Sequence, residues 1–226
     1  MVTHHMSPFA VTLARHSVVA AACLAFTCNG GAVHAATAIT SDAPVRLLAL
    51  CEGRRPSQWT VAERPAIDAL VDEVSNLHAP VDSKNLRGKW RLAYIQPGLA
   101  GAIVDRRIPF PELPFNENYQ IFGESTVTNV GQLLGSALEL RVSGSLSEDD
   151  PADFLAPKRF RAQITQGGLC FGGGDACLSL PIFDSRTFEF GLRTTGIFDA
   201  VYLDSRVRIG QSLNDGGARS VQVRVE

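Results

Sequence analysis

At Pro80 the hydrophobic pattern of this chain changes period. Upstream, Ile67, Leu70, Val71, Val74 and Leu77 recur at the intervals of an amphipathic helix; downstream, apolar and polar residues alternate as in half-buried strands to the end of the chain. A helix with one apolar stripe needs a partner surface, and the strand-like remainder offers a sheet. The helix is expected to start at Thr60, which has capping-box spacing to Glu63. A shorter helix precedes it, entered through Asp42-Ala43-Pro44, carrying Val45, Leu47, Leu48, Leu50 and Cys51, and ended by Gly53.

The strands open with Trp90, Leu92 and Tyr94 alternating with Lys89, Arg91 and Ala93. Residues 119–122 and 125–130 flank Gly123, and residues 138–142, 160–165, 188–192, 200–209 and 220–225 supply the others. Roughly eight short strands with Gly- and Pro-rich turns, behind two helices, predict a mainly β fold: a closed or nearly closed antiparallel barrel. In 200–209, read as one strand, Tyr202, Asp204, Arg206 and Arg208 share a face. The prolines at 109, 111 and 114 lack ladder donors, so residues 108–114 are expected as a loop or lid at the barrel mouth. Residues 145–157, with Glu148, Asp149, Asp150 and Asp153, read as a solvated loop.

The residues before Asp42 contain no Asp or Glu, and an apolar run at 18–27, too short to span a bilayer, ends in small residues at 32–36. Residues 1–35 therefore read as a targeting peptide cleaved after Ala35, leaving one domain over 42–226. The acidic-poor composition fits organelle import, whereas the apolar core fits a secretory or thylakoid-transfer signal; the residues alone support both. A formal net charge of -2 gives no electrostatic support for nucleic-acid binding.

Cys51, Cys170 and Cys177 remain in the mature chain. Cys170 and Cys177 bracket a glycine-rich turn, which fits either a disulfide or two thiols flanking a hairpin. No second Cys or His pair at ligand spacing accompanies them, so no metal site and no cofactor are expected. The one mature histidine, His78, ends a helix, and Gly172-Gly173-Gly174 lacks the Lys-Ser/Thr of a phosphate loop. No catalytic constellation is expected.

Asn85-Leu86-Arg87-Gly88-Lys89-Trp90 resembles the barrel-closing motif of the lipocalins, in which a tryptophan seals one end and an arginine from a late strand packs on its ring. The resemblance gives Gly88, Trp90, Asp204 and Arg208 as the closing set, with Arg206 a less favoured partner for the indole.

Three further segments are similar to the plastid-lipid-associated, or fibrillin, family. They are Ile67-Asp68-Ala69-Leu70 running into Leu86-Arg87-Gly88-Lys89-Trp90-Arg91-Leu92-Ala93-Tyr94; Ser125-Thr126-Val127-Thr128-Asn129-Val130; and Phe198-Asp199-Ala200-Val201-Tyr202-Leu203-Asp204-Ser205-Arg206-Val207-Arg208-Ile209. The pattern departs after Ile209, where Gly210-Gln211-Ser212-Leu213-Asn214-Asp215-Gly216-Gly217 replaces the family's Arg-Gly and short turn.

The resemblance implies a lipocalin-like barrel located in plastids, at thylakoids or plastoglobules, with the thylakoid lumen open. Its partners would be carotenoids, quinones or other isoprenoid lipids and a membrane surface. Trp90, Tyr94, Phe160, Phe188, Phe190 and Tyr202 are the candidates for lining the lipid site. Two other readings carry their own signatures: a non-catalytic docking protein with an exposed apolar patch at 108–115, and a lipocalin-fold enzyme acting on an oxidised lipid through Tyr202 and Asp204.

Overall fold

The computed structural model of the protein describes residues 41–98, 117–150, 155–173, 176–179, 195–214 and 216–225. The leader, the proline-rich segment at 108–114 and the strand expected at 188–192 lie outside them.

Helix α1 (Ala43–Cys51) has Pro44 in its first turn and breaks just before Gly53, whose φ of 73° is open to glycine without strain. Helix α2 (Arg64–Ser75) starts four residues later than expected, with Pro65 in its first turn. The Thr60–Glu63 pair nevertheless forms: Glu63 Oε2 accepts from the Thr60 N–H at 3.0 Å and from its hydroxyl at 2.8 Å, bracketing the turn that leads into α2. These bonds and Arg54 hold the Glu63 carboxyl down to about 2. Ile67, Leu70, Val71 and Val74 bury the α2 stripe, each contributing roughly 1.5–3 kcal/mol.

The strands are β1 (Gly88–Gln96), β2 (Glu117–Phe122), β3 (Thr126–Gln132), β4 (Leu138–Glu148), β5 (Lys158–Phe171), β6 (Cys177–Ser179), β7 (Thr195–Leu203), β8 (Val207–Ser212) and β9 (Arg219–Arg224). They form one nine-stranded sheet in which every pairing is antiparallel. Order β4-β3-β2-β1-β9-β8-β7-β5-β6, with β4 also pairing β5, means that eight strands pair in a cycle and β6 extends β5 beyond it.

Two apolar layers lie on opposite faces of this sheet. On the helix-bearing face, α1, α2 and Trp59 pack on Ala93, Tyr94, Val201, Tyr202, Val207, Ile209, Val221 and Val223. The other face, here the inner face, gathers Trp90, Phe122, Val127, Leu146, Phe160, Ala162, Ala200 and Leu203, with Leu86 from a short 3-10 turn (Ser83–Leu86). Bulges in β1 between Leu92 and Tyr94 and in β7 between Ala200 and Tyr202 place Ala93-Tyr94 and Val201-Tyr202 as consecutive residues toward the helices.

Two sequence expectations are corrected. The loop expected over 145–157 is strand through Glu148, because Leu146 points inward while Ser145 and Ser147 form a polar outer edge. The single strand expected over 200–209 is the hairpin β7–β8, turned at 204–206 by the Asp204 carboxylate, which accepts from the N–H groups of Arg206 (2.6 Å) and Val207 (2.7 Å).

Cys170 and Cys177 face each other across β5 and β6, with Cα atoms 4.0 Å apart, and are bridged. The bridge closes a short loop, of sequence separation 7, so its removal in Cys170→Ser is expected to cost about 2.5 kcal/mol. Urea unfolding of the variant against the parent checks this value, and an unchanged midpoint would show that the hairpin is held without the bridge. Cys51, buried beneath the helices, has its thiol pushed up to about 12 by desolvation.

Candidate functional site

Trp90 is fully buried on the inner face, and its indole Nε1–H donates to the Leu86 carbonyl at 2.7 Å. The cation on its ring is Arg224, not Arg208: the Arg224 guanidinium lies 4.4 Å from the ring centroid. Arg224 stands directly across from Trp90 in the β1–β9 register. Its fork donates to the carbonyl oxygens of Ser205, Arg87 and Asn85, tying β9 to the β7–β8 turn and to the entry of β1. Gly88, at φ 117°, opens β1 beside this cluster. One end of the inner face is thus closed by Trp90, Leu86 and Arg224.

Arg208 lies on the inner face but away from the indole. It is 2% exposed, and its guanidinium sits 4.5 Å from the Phe122 ring and 4.9 Å from the Phe198 ring. Phe198 in turn stacks on Phe160 at 5.4 Å. Neither Nε nor Nη1 of Arg208 has a hydrogen-bond partner among the described residues. Burial pulls its pKa down to about 9, which leaves it charged at neutral pH. Two desolvated ring faces return about 2 kcal/mol each, against a penalty of several kcal/mol for burying a lone ion.

Neighbouring inner positions are also polar. Gln222 pairs across from Arg208, and its amide donates to Gln120 Oε1 at 2.7 Å, while Asn129 pairs across from Gln120. Gln222 Oε1 and Asn129 Oδ1 are buried without partners among the described residues. Gly210 completes the surroundings: a Cβ there would stand 3.0 Å from Arg208 Nη2 and 3.6 Å from Nε. The guanidinium therefore lies over Gly210, on the side away from the Trp90 end. Arg208, Gln222, Gln120 and Asn129 form a polar belt between aromatic rings, and several of its hydrogen-bonding atoms have no partner among the described residues.

The remaining candidates divide. Phe160 is buried on the inner face as expected, whereas Phe188 and Phe190 lie outside the described residues. Tyr94 and Tyr202 belong to the helix layer, so they do not line the space that Trp90 and Phe160 border. Tyr94 donates its hydroxyl to Asp68 of α2 at 2.8 Å and meets Trp59 edge-on at 5.4 Å. Tyr202 donates to Asp204 at 2.9 Å. Burial first and the adjoining carboxylates second raise both phenols well above their usual range. Asp204 organises the β7–β8 turn, and the Tyr202–Asp204 pair sits on the face opposite Arg208.

Sequence reasoning missed Arg224, Phe122, Phe198, Gln120 and Gln222. The alternation of Val221 and Val223 with Gln222 and Arg224 was the available signal, since the valines meet the helices and the polar pair must face inward. A cleft of about 270 Å³ lies outside the closed end, where Lys84, Arg87, Glu124, Glu148, Lys158 and Phe160 are among its lining residues. Lys158 there pairs with Glu148 at 2.9 Å, and the buried Ser83 Oγ in the lining has no partner among the described residues.

Comparison of the chain with protein-family models, with curated proteins and with solved structures gives no match.

Proposed function

We propose that this chain is a lipocalin-like barrel of the plastid-lipid-associated type that holds a lipophilic molecule in its interior, at thylakoids or plastoglobules. The observation that carries the reading is the cycle of eight strand pairings plugged at one end by Trp90 under Arg224, the arrangement its Gly-x-Trp motif implies. A closed sheet of eight strands has room for side chains or one small ligand. Inner-face Val142, Ile164 and Phe198, farther from the plug, are only half-buried, which supports an opening at the opposite end. Isoprenoid quinones and carotenoids are the ligand classes that the family resemblance brings.

The test uses the full chain carrying Trp59→Phe, so that Trp90 is its one remaining tryptophan. Titration with an isoprenoid quinone is expected to quench Trp90 emission to saturation at one ligand per chain. Emission that falls only in proportion to added quinone would overturn interior binding.

A specific observation also favours membrane-surface docking. Leu134, Phe171 and Leu178, on the tip made by the β3–β4 turn and the β5–β6 hairpin, are 67%, 54% and 62% exposed. This tip lies at the end opposite Trp90, so a lipid surface and an open mouth would adjoin.

A further inference from the structure

Resting on the interior-binding reading, we infer that the bound lipophile carries an anionic head group, which Arg208 receives inside the barrel while the apolar tail runs toward the mouth. The guanidinium is buried among ring faces, and its Nε and Nη1 donors are unpaired among the described residues. No acidic side chain among the described residues forms an ion pair with it. Among the described residues nothing but a ligand is left to compensate this charge; a neutral hydrocarbon does not, whereas a carboxylate or phosphate supplies both the counter-charge and the acceptors.

The surroundings suit such a head. Phe122 and Phe198 hold the guanidinium by their faces, leaving its N–H edges for a ligand. Gly210 keeps clear the space beside Nε and Nη2. The Gln222 and Asn129 atoms without partners among the described residues are amide oxygens, acceptors that can take only a protonated head-group oxygen, so the anion's charge is left to Arg208. Half-buried Val142, Ile164 and Phe198 border the path from the belt to the mouth.

The experiment compares cis-parinaric acid, a fluorescent long-chain carboxylate, with its methyl ester, and adds a twenty-carbon prenyl monophosphate as a competitor. All three are used with the full, delipidated chain. The acid is expected to bind about 10- to 100-fold more tightly than the ester, the ratio of a charge-assisted bond in a dry site. Arg208→Leu should bring that ratio close to one, and Arg208→Lys should keep most of it. Gly210→Ala, whose Cβ crowds the guanidinium, should reduce it.

A ratio near one counts for Arg208→Leu only where the variant still binds the ester as tightly as the parent, and Arg208→Lys and Gly210→Ala still report if Arg208→Leu fails to fold. A prenyl phosphate that competes better than the acid, and loses its advantage in Arg208→Leu, supports the proposal with phosphate as the head. Equal binding of acid and ester by the parent chain overturns this inference and leaves the lipophile reading standing. No binding of any of the three overturns both.

Discussion

Trp90→Ala lowers the unfolding free energy by about 3–5 kcal/mol, the range for truncating a buried aromatic ring. Against a total of roughly 5–15 kcal/mol for a domain, that loss brings the folded state near its limit. The indole is fully buried, its N–H is satisfied by the Leu86 carbonyl, and its outer face carries Arg224. Removing it leaves a cavity and strands the guanidinium that ties Asn85, Arg87 and Ser205 together. Chemical unfolding followed by far-UV circular dichroism measures the effect. A variant whose midpoint matches the parent would mean that the ring does not plug the sheet.

A loss of about 3 kcal/mol is expected for Gly144→Ala, at the upper end for overpacking because the obstruction is backbone. The new Cβ would fall 1.8 Å from the Gln163 carbonyl oxygen and 2.7 Å from Ile164 Cα. The approach is close because β5 carries an extra residue here: Ser143 pairs with Gln166 and Gly144 with Ile164, leaving Thr165 unopposed. Relief requires the bulge to open, so amide exchange at residues 140–143 should accelerate along with the global loss. Gly196→Ala is the control, since its Cβ meets nothing within 4 Å. Equal costs for the two substitutions would dismiss the steric explanation.

The helices were legible because their signals are local: for α1 the proline in its first turn and the glycine after it, for α2 the apolar residues at helical spacing. Most strands were legible for the same reason, from β1 to the final Val221–Val223 alternation, but β6 was not expected and β7 and β8 read as one strand. Facing was not, because a β-bulge shifts the phase of a strand by one residue without any change in composition. Both misplaced tyrosines share that cause: Tyr94 follows the β1 bulge and Tyr202 the β7 bulge. The same shift, with a turn at 204–206 that has neither Gly nor Pro, hid the fact that Tyr202 and Arg208 face opposite ways. Arg224 was overlooked as the partner of Trp90 because strand register depends on the whole sheet. The polar strand end at Ser145–Ser147 read as loop because only Leu146 marks its inner face.

The two bulges have a further consequence for how such a chain can vary. They concentrate helix docking on consecutive pairs, Ala93-Tyr94 and Val201-Tyr202, and leave the inner positions 120, 129, 208 and 222 outside the apolar layer that the helices cover. Substitutions of side chains on opposite faces of a strand couple less than those of side chains in contact. On the proposed interior binding, inherited substitutions in the belt would therefore retune which head group and tail are accepted, while the helix layer maintains the fold around them.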